Sequence, residues 1–167
     1  MDPAARKTAL RMIPYGLYVL TAASSDGRVA AATINWVTQA SFEPPLVVIC
    51  VKVDSDVHAL IKQTGQFALN VLGKGQQKTA FTFFKPSVLE GDRISGERFT
   101  RGRTGLPQLE SASAFLECKL VHTIERGDHT VMLGEVIEAV ITRQSEGRPD
   151  DGTLCLKDLG ERIFYGG

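Results

Sequence analysis

The chain has too few cysteines and too little imbalance of charge for several classes of protein. Only three cysteines, Cys50, Cys118 and Cys155, stand among 167 residues, far apart and with no Cys-x-x-Cys pair. An odd number cannot complete an intrachain disulfide set, and a chain this long does not need one to hold a core. A reducing compartment, the cytoplasm, is the expected location. Cys50 lies inside an apolar run and reads as a small buried hydrophobe. Nineteen acidic residues cancel nineteen basic ones. No net positive field therefore draws nucleic acid or an anionic membrane surface. No apolar run approaches the roughly 20 residues that span a bilayer. The opening MDPAARKTALRM lacks the apolar region of a signal peptide. Neither nucleic acid nor membrane is expected as a partner. The three histidines, His58, His122 and His129, show no metal-ligand spacing, so no metal is expected. No Ser-His-Asp or Cys-His pairing follows from the spacing either.

What the chain does have is strand-like sequence. Its 43% hydrophobic content suffices for a core, and its length suits one domain over residues 1–167. Asp2 to Met12 reads as a short helix with Pro3 near its start, ended by Pro14. Gly16 to Ser24 reads as a strand, followed by a turn at Ser25-Asp26-Gly27 and a second strand, Val29 to Ala32. Leu46 to Val53 is an almost unbroken apolar run, as expected of a strand covered on both faces. Helical spacing of Val57, Leu60 and Ile61 follows, with Ser55 as cap and Gly65 as stop. Phe67 to Leu72 is another strand, and Gln76 to Phe84 a second short helix.

Residues Lys85 to Leu109, with four glycines and two prolines, read as a long irregular loop or lid. Phe115 to Glu125 and Thr130 to Thr142 form a hairpin around Arg126-Gly127-Asp128-His129. Gln144 to Gly152 is a polar turn, and Leu154 to Leu156 and Arg162 to Tyr165 close the chain. Strands dominate and the strand–helix alternation of a doubly wound sheet is missing after Phe84, so the expected fold is a β-barrel with a few helices.

Two glycine patterns fail on inspection. Leu72 to Thr79, LGKGQQKT, has no Walker Gly-Lys-Thr or Gly-Lys-Ser in register. It also carries Lys78 where a dinucleotide motif needs its third glycine. The start of the Ser55 helix has two readings. Ser55 is a good N-cap. The free amides there, with Ser55, His58 and Lys52, also suit a phosphate, against which two neighbouring acids argue. Thr33 to Ser41, TINWVTQAS, is rich in hydrogen-bonding groups and begins as a polar turn, Thr33 to Thr38. The tip containing His129 is by itself an ordinary turn with an exposed imidazole.

Taken together, several segments resemble the flavin reductase-like family of FMN-binding split barrels. They are YGLYVLTA (15–22), ATINWVTQASFEPPLV (32–47), SDVHALIKQTGQFALNVL (55–72), FFKP (83–86), LECKL (116–120), GDHTVMLGEV (127–136) and the closing FYGG (164–167). The resemblance implies a mainly β fold, a six-stranded antiparallel split β-barrel with a few short helices, paired as a homodimer. It implies FMN as the cofactor, with Thr33, Asn35, Trp36, Val37 and Thr38 around its ring. Lys52, Ser55 and His58 would lie at its phosphate. Many relatives have a threonine where Val57 stands, so the phosphate contacts of this chain are its own. His129, of the Gly-Asp-His tripeptide, would lie near the flavin or the nicotinamide as the catalytic residue.

The implied activity is that of an NAD(P)H:flavin oxidoreductase, with hydride passing from NADH or NADPH to flavin. A partner monooxygenase or another electron acceptor would receive the product. The rival reading is a non-enzymatic FMN-binding electron carrier or flavin-binding module. A split barrel binding haem or deazaflavin ranks below both.

Overall fold

The structure, a computed structural model, describes residues 1–166; Gly167, last of the closing FYGG segment, lies outside the described residues. It is mainly β with few helices. The first element is helix α1 (Pro3–Arg11), capped by Asp2, whose carboxylate accepts from the Ala4 amide at 3.0 Å. None of its residues is buried. Strands β1 (Tyr18–Ala23) and β2 (Val29–Ile34) form the expected hairpin. The polar turn expected at Thr33–Thr38 shrinks to two residues, Asn35 and Trp36. Strand β3 (Val37–Ser41) follows at once. The β-branched residues Thr33, Ile34, Val37 and Thr38 suit strands better than a turn, and Val37 packs onto the core.

Strand β4 (Leu46–Lys52) leads into helix α2 (Asp56–Thr64). The Ser55 side chain caps this helix, and Gly65 ends it in the left-handed region (φ 69°), which glycine reaches without steric cost. Strand β5 (Gln66–Val71) and helix α3 (Gln77–Thr82) come next. Contrary to expectation, β4 is not covered on both faces. Val47, Ile49 and Val51 are buried, while Leu46, Val48 and Cys50 on the other face stay partly exposed. The strands buried on both faces are β1 and β5, each with four consecutive buried residues.

The segment from Lys85 to Leu109 is not an irregular loop. It forms a four-stranded antiparallel sheet of β6 (Leu89–Glu90), β7 (Arg93–Ile94), β8 (Glu97–Arg101) and β9 (Pro107–Leu109). Its glycines make the turns: Gly91, Gly96 and Gly105 all have positive φ. Ile94 and Leu109 pack with Leu17, Phe83 and Phe115 in a second core outside the main sheet. Buried polar groups clamp it there. Asn70 Oδ1 accepts from the Leu109 amide at 2.7 Å, and Thr21 donates to the Pro107 carbonyl at 2.6 Å. Glu117 accepts from Gln108 Nε2 at 2.9 Å and from the Thr104 amide at 3.0 Å.

The long hairpin of β10 (Ala114–Glu125) and β11 (His129–Ile141) completes the main sheet. Its strand order is β2-β1-β5-β10-β11-β4-β3, seven strands where six were expected. The two edges, β2 and β3, are consecutive in the chain and only Asn35 and Trp36 separate them. A link of two residues spans only a few ångströms, so the sheet must curl until its edges meet at that corner. The curl encloses the main core, where Ile49, Phe67, Leu69 and Met132 are fully buried and α2 contributes Val57 and Ile61. Leu154–Leu156 and Arg162–Tyr165, which close the chain, lie outside the strands. Short 3-10 turns run over Pro149–Gly152 and Leu156–Leu159, and Gly16 and Gly73 make single bridges to Cys155 and Thr153.

Candidate functional site

Three distant segments meet at the corner where the sheet closes. The amide of Cys50 donates to the Trp36 carbonyl at 3.0 Å, which fixes the corner to β4. Lys52 at the end of β4 is the register partner of His129 at the start of β11. The Val53 amide donates to the Asp128 carbonyl at 3.1 Å, tying the hairpin tip to the turn before α2. The C-terminal segment then crosses this end of the sheet. Tyr165 lies 5.5 Å from Trp36 and 5.9 Å from His129 between ring centroids, and Trp36 and His129 lie 4.6 Å apart at 51°.

His129 is not the exposed turn residue expected from the sequence. It is the first residue of β11, and its side chain is only 12% exposed. Its two ring nitrogens are both engaged, Nδ1 with the Asp128 carboxylate at 2.9 Å and Nε2 with the Tyr165 hydroxyl at 2.8 Å. The hydrogen bond from His129 holds the exposed Asp128 carboxyl below its ordinary range. Burial pushes the Tyr165 phenol up. Trp36 presents a different signature. Its indole Nε1 is buried and has no hydrogen-bond partner among the described residues, an orphaned donor of the kind native interiors seldom keep.

The remaining predicted residues divide. Asn35 is buried and reaches the Tyr165 carbonyl at 3.5 Å. Lys52 is exposed and pairs with Asp54 at 3.0 Å. That hydrogen bond raises the Lys52 ammonium and lowers the Asp54 carboxyl. Ser55 accepts from the His58 amide at 3.3 Å and donates to the Lys52 carbonyl at 2.7 Å. The amides of Asp56 and Val57 in the first helical turn have no partner within the helix. The His58 ring turns away from the helix start, and its Nε2 meets the buried Thr130 hydroxyl at 2.9 Å. Burial lowers its pKa, with the nearby Lys62 charge adding to the effect.

Thr33 points elsewhere: its hydroxyl donates to the Ala80 carbonyl at 2.8 Å, binding β2 to α3. Val37 faces the core, and Thr38 is exposed and bonds to the neighbouring Gln39 carbonyl at 3.2 Å. The corner thus gathers Asn35, Trp36, Lys52, Ser55 and His129, but not the side chains of Thr33, Val37 or Thr38. The residue that local sequence reading leaves out of the site is Tyr165. The signal was an aromatic pair, Phe164 and Tyr165, followed by glycine after a polar stretch. Among the described residues no cluster of His, Cys, Asp and Glu could hold a metal ion, and no helix is long and apolar enough to cross a membrane.

Residues 10–157 match the model of the flavin reductase like domain. The chain belongs to the flavin reductase-like family. It is 37% identical over 152 residues to an NADH-dependent FAD reductase of Streptomyces globisporus, covering 88% of this chain and 82% of that protein. Among solved structures, the NADH:FAD oxidoreductase of S. globisporus in complex with NAD and FAD fragments superposes with a TM-score of 0.78 and 32% identity, covering 99% of this chain and 96% of that one. The styrene monooxygenase flavin reductase of Pseudomonas putida gives 0.75 at 27% identity, with 93% of each chain covered. Against two Rhizobium meliloti relatives, each 33% identical over 135 residues, this flavin reductase-like chain spans 42% and 57% of the partner's length.

Proposed function

We propose that this chain is an NAD(P)H:flavin oxidoreductase that binds FMN at the Trp36 corner and acts as a homodimer. The observation that carries the reading is the Trp36 Nε1–H, without an acceptor among the described residues, beside His129 at the junction of three distant segments. A buried donor without an acceptor fits a ligand that brings ring nitrogens or carbonyl oxygens. The free amides at the start of α2, with Ser55 and Lys52 beside them, fit a phosphate. Asp54 and Asp56 work against that fit, so the charge of Lys52 is needed there. When bound, the flavin supplies the redox chemistry and accepts hydride from NADH or NADPH. The residues of the chain hold it, exclude water and orient the donor. His129, at the outer end of β11, is the candidate for orienting the nicotinamide.

In this reading residues 1–167 are one domain, and β2-β1-β5-β10-β11-β4 are the six strands of a split barrel, with β3 an added edge. The half-exposed outer face of β4 and β11, with Val48, Cys50, Val131 and Leu133, is the surface a second copy would cover. Because that face runs on to Lys52 and His129, the corner in this reading would lie at the rim of that interface. The product is reduced flavin, and a partner monooxygenase is the natural consumer, as the name of the P. putida relative indicates for that protein. Three free thiols, of which Cys118 is buried and pushed up to about 12, agree with a reducing cytoplasm.

The test is an absorbance spectrum of protein reconstituted with FMN or FAD, followed by anaerobic addition of NADH and then NADPH. Bleaching of the flavin bands by either nicotinamide is expected. A protein that binds flavin and is bleached by neither would be an electron carrier instead. Micromolar FMN and FAD that leave tryptophan fluorescence and melting temperature unchanged would sink the flavin reading altogether.

A further inference from the structure

The imidazole of His129 is held from both sides by residues of different elements. Asp128, from the hairpin tip, faces Nδ1, and Tyr165, from the C-terminal segment, faces Nε2. Lys52 of β4 is the register partner of His129, and Lys52 and Asp54 both lie close enough to act on the same cluster by charge. The ionised Asp128 accepts only, so Nδ1 carries the ring proton. Nε2 of the neutral ring then has a lone pair, and the phenol hydroxyl is the donor that meets it. Trp36 packs against the imidazole, its ring tilted 51° to it with centroids 4.6 Å apart.

Tyr165 is itself anchored. Its carbonyl accepts from Asn35 Nδ2 at 3.5 Å, and the Gly166 carbonyl accepts from Arg11 Nε at 3.5 Å. The Arg11 guanidinium also sits 4.3 Å over the Phe164 ring. A side chain on Gly166 would press on Trp36, since a Cβ there would lie 3.2 Å from the indole Cζ2.

We infer that Tyr165 is the positioning residue for His129: its hydroxyl donates to Nε2, fixes the ring as the Nδ1–H tautomer against Asp128 and holds it over Trp36. This rests on the proposed reductase function for its consequence, but not for its geometry. The consequence is that His129 offers a nicotinamide its ring in one fixed orientation, with the Tyr165 hydroxyl at its Nε2. Lys52 and Asp54 flank it with opposite charges, so the pair adds little net field.

The experiment compares the natural chain with Tyr165→Phe and Asp128→Asn, with His129→Gln used to assign the resonances. First, the imidazole nitrogens are observed by nitrogen-15 NMR without flavin. The natural chain should show a protonated Nδ1 and a hydrogen-bonded, unprotonated Nε2. Tyr165→Phe should move the Nε2 resonance toward that of a free pyridine-type nitrogen. Asp128→Asn should disturb Nδ1. Identical His129 resonances in the natural chain and Tyr165→Phe would overturn the inference. Second, stopped-flow reduction is measured with the flavin site saturated. Loss of one neutral hydrogen bond, worth about 0.5–1.5 kcal/mol, should slow the limiting rate roughly 2- to 13-fold with nicotinamide affinity nearly unchanged. Equal rates would also overturn it. If the natural chain is not reduced at all, the reductase reading fails while the NMR result still decides the role of Tyr165.

Discussion

Single side chains at the corner carry two tasks each, and substitutions separate them. Ser55 holds the start of α2 through its bonds to the His58 amide and the Lys52 carbonyl. Ser55→Ala should cost about 1 kcal/mol of stability through the lost cap. It should also weaken FMN by about tenfold while riboflavin is little affected, because only FMN brings the phosphate that the hydroxyl can meet. Equal losses for FMN and riboflavin in a titration would assign Ser55 to capping alone. His58 gives a pH signature. Its folded pKa lies below the ordinary value because burial disfavours the imidazolium. The unfolded chain therefore takes up the proton first as pH falls, near about 6.5. The stability linked to His58 is complete above that value and is lost as pH falls toward the folded pKa. His58→Gln should flatten the fall of melting temperature between about pH 7.5 and 5; an unchanged slope would show that His58 is not the group responsible.

At the scale of elements, legibility followed locality. The Ser55 cap, the Gly65 stop and the hairpin turn at Gly127 are written within a few residues, and they were readable. The small sheet of β6–β9 was not. Its strands are two to five residues long and carry Glu90, Arg93, Glu97 and Arg98, so no two-residue apolar rhythm emerges. What holds it are buried polar groups from other strands, Thr21, Asn70 and Glu117, whose involvement no local pattern announces. Tyr165 is hidden for the same reason, since it stands 36 residues from the imidazole it meets. The family resemblance flagged its segment without placing it. The hairpin of β10 and β11 contains a further constraint. A Cβ on Gly134 would lie 2.4 Å from Phe67 Cζ and 2.8 Å from Cε1, in a fully buried part of the core. Gly134→Ala should therefore destabilise the fold by about 1–3 kcal/mol through overpacking. Urea unfolding would check this, and a variant as stable as the natural chain would mean that Phe67 can move aside at little cost.

At the scale of the whole molecule, the outer face of β4 and β11 is the surface proposed for the dimer. Alternation along β11 sets Leu133 on the opposite face from buried Met132 and Gly134, across from Val48. Leu133→Glu should leave the monomer folded, since the side chain is not in the core, and should shift a dimer toward monomer in light scattering. If the proposed dimer rims the flavin site, the same variant should bind flavin more weakly. A monomeric natural chain at micromolar concentration would remove the dimer from the account.

The link between β2 and β3 has a bearing on how the molecule assembles in time. Six strand pairings join β2 to β3 the long way round the sheet, and the peptide through Asn35 and Trp36 joins them the short way. The chain therefore forms a closed circuit whose last clasp is the corner where the ligand is proposed to sit. The β10–β11 hairpin is local in sequence and can pair early. The β4–β11 pairing spans a long stretch of chain and must bear its loop-closure entropy. A ligand gripping Trp36 acts on that clasp, and its binding free energy is then felt by every rung of the circuit. Native-state amide exchange would make the coupling visible, with flavin slowing exchange in β1 and β5, strands that contribute no residue to the proposed site.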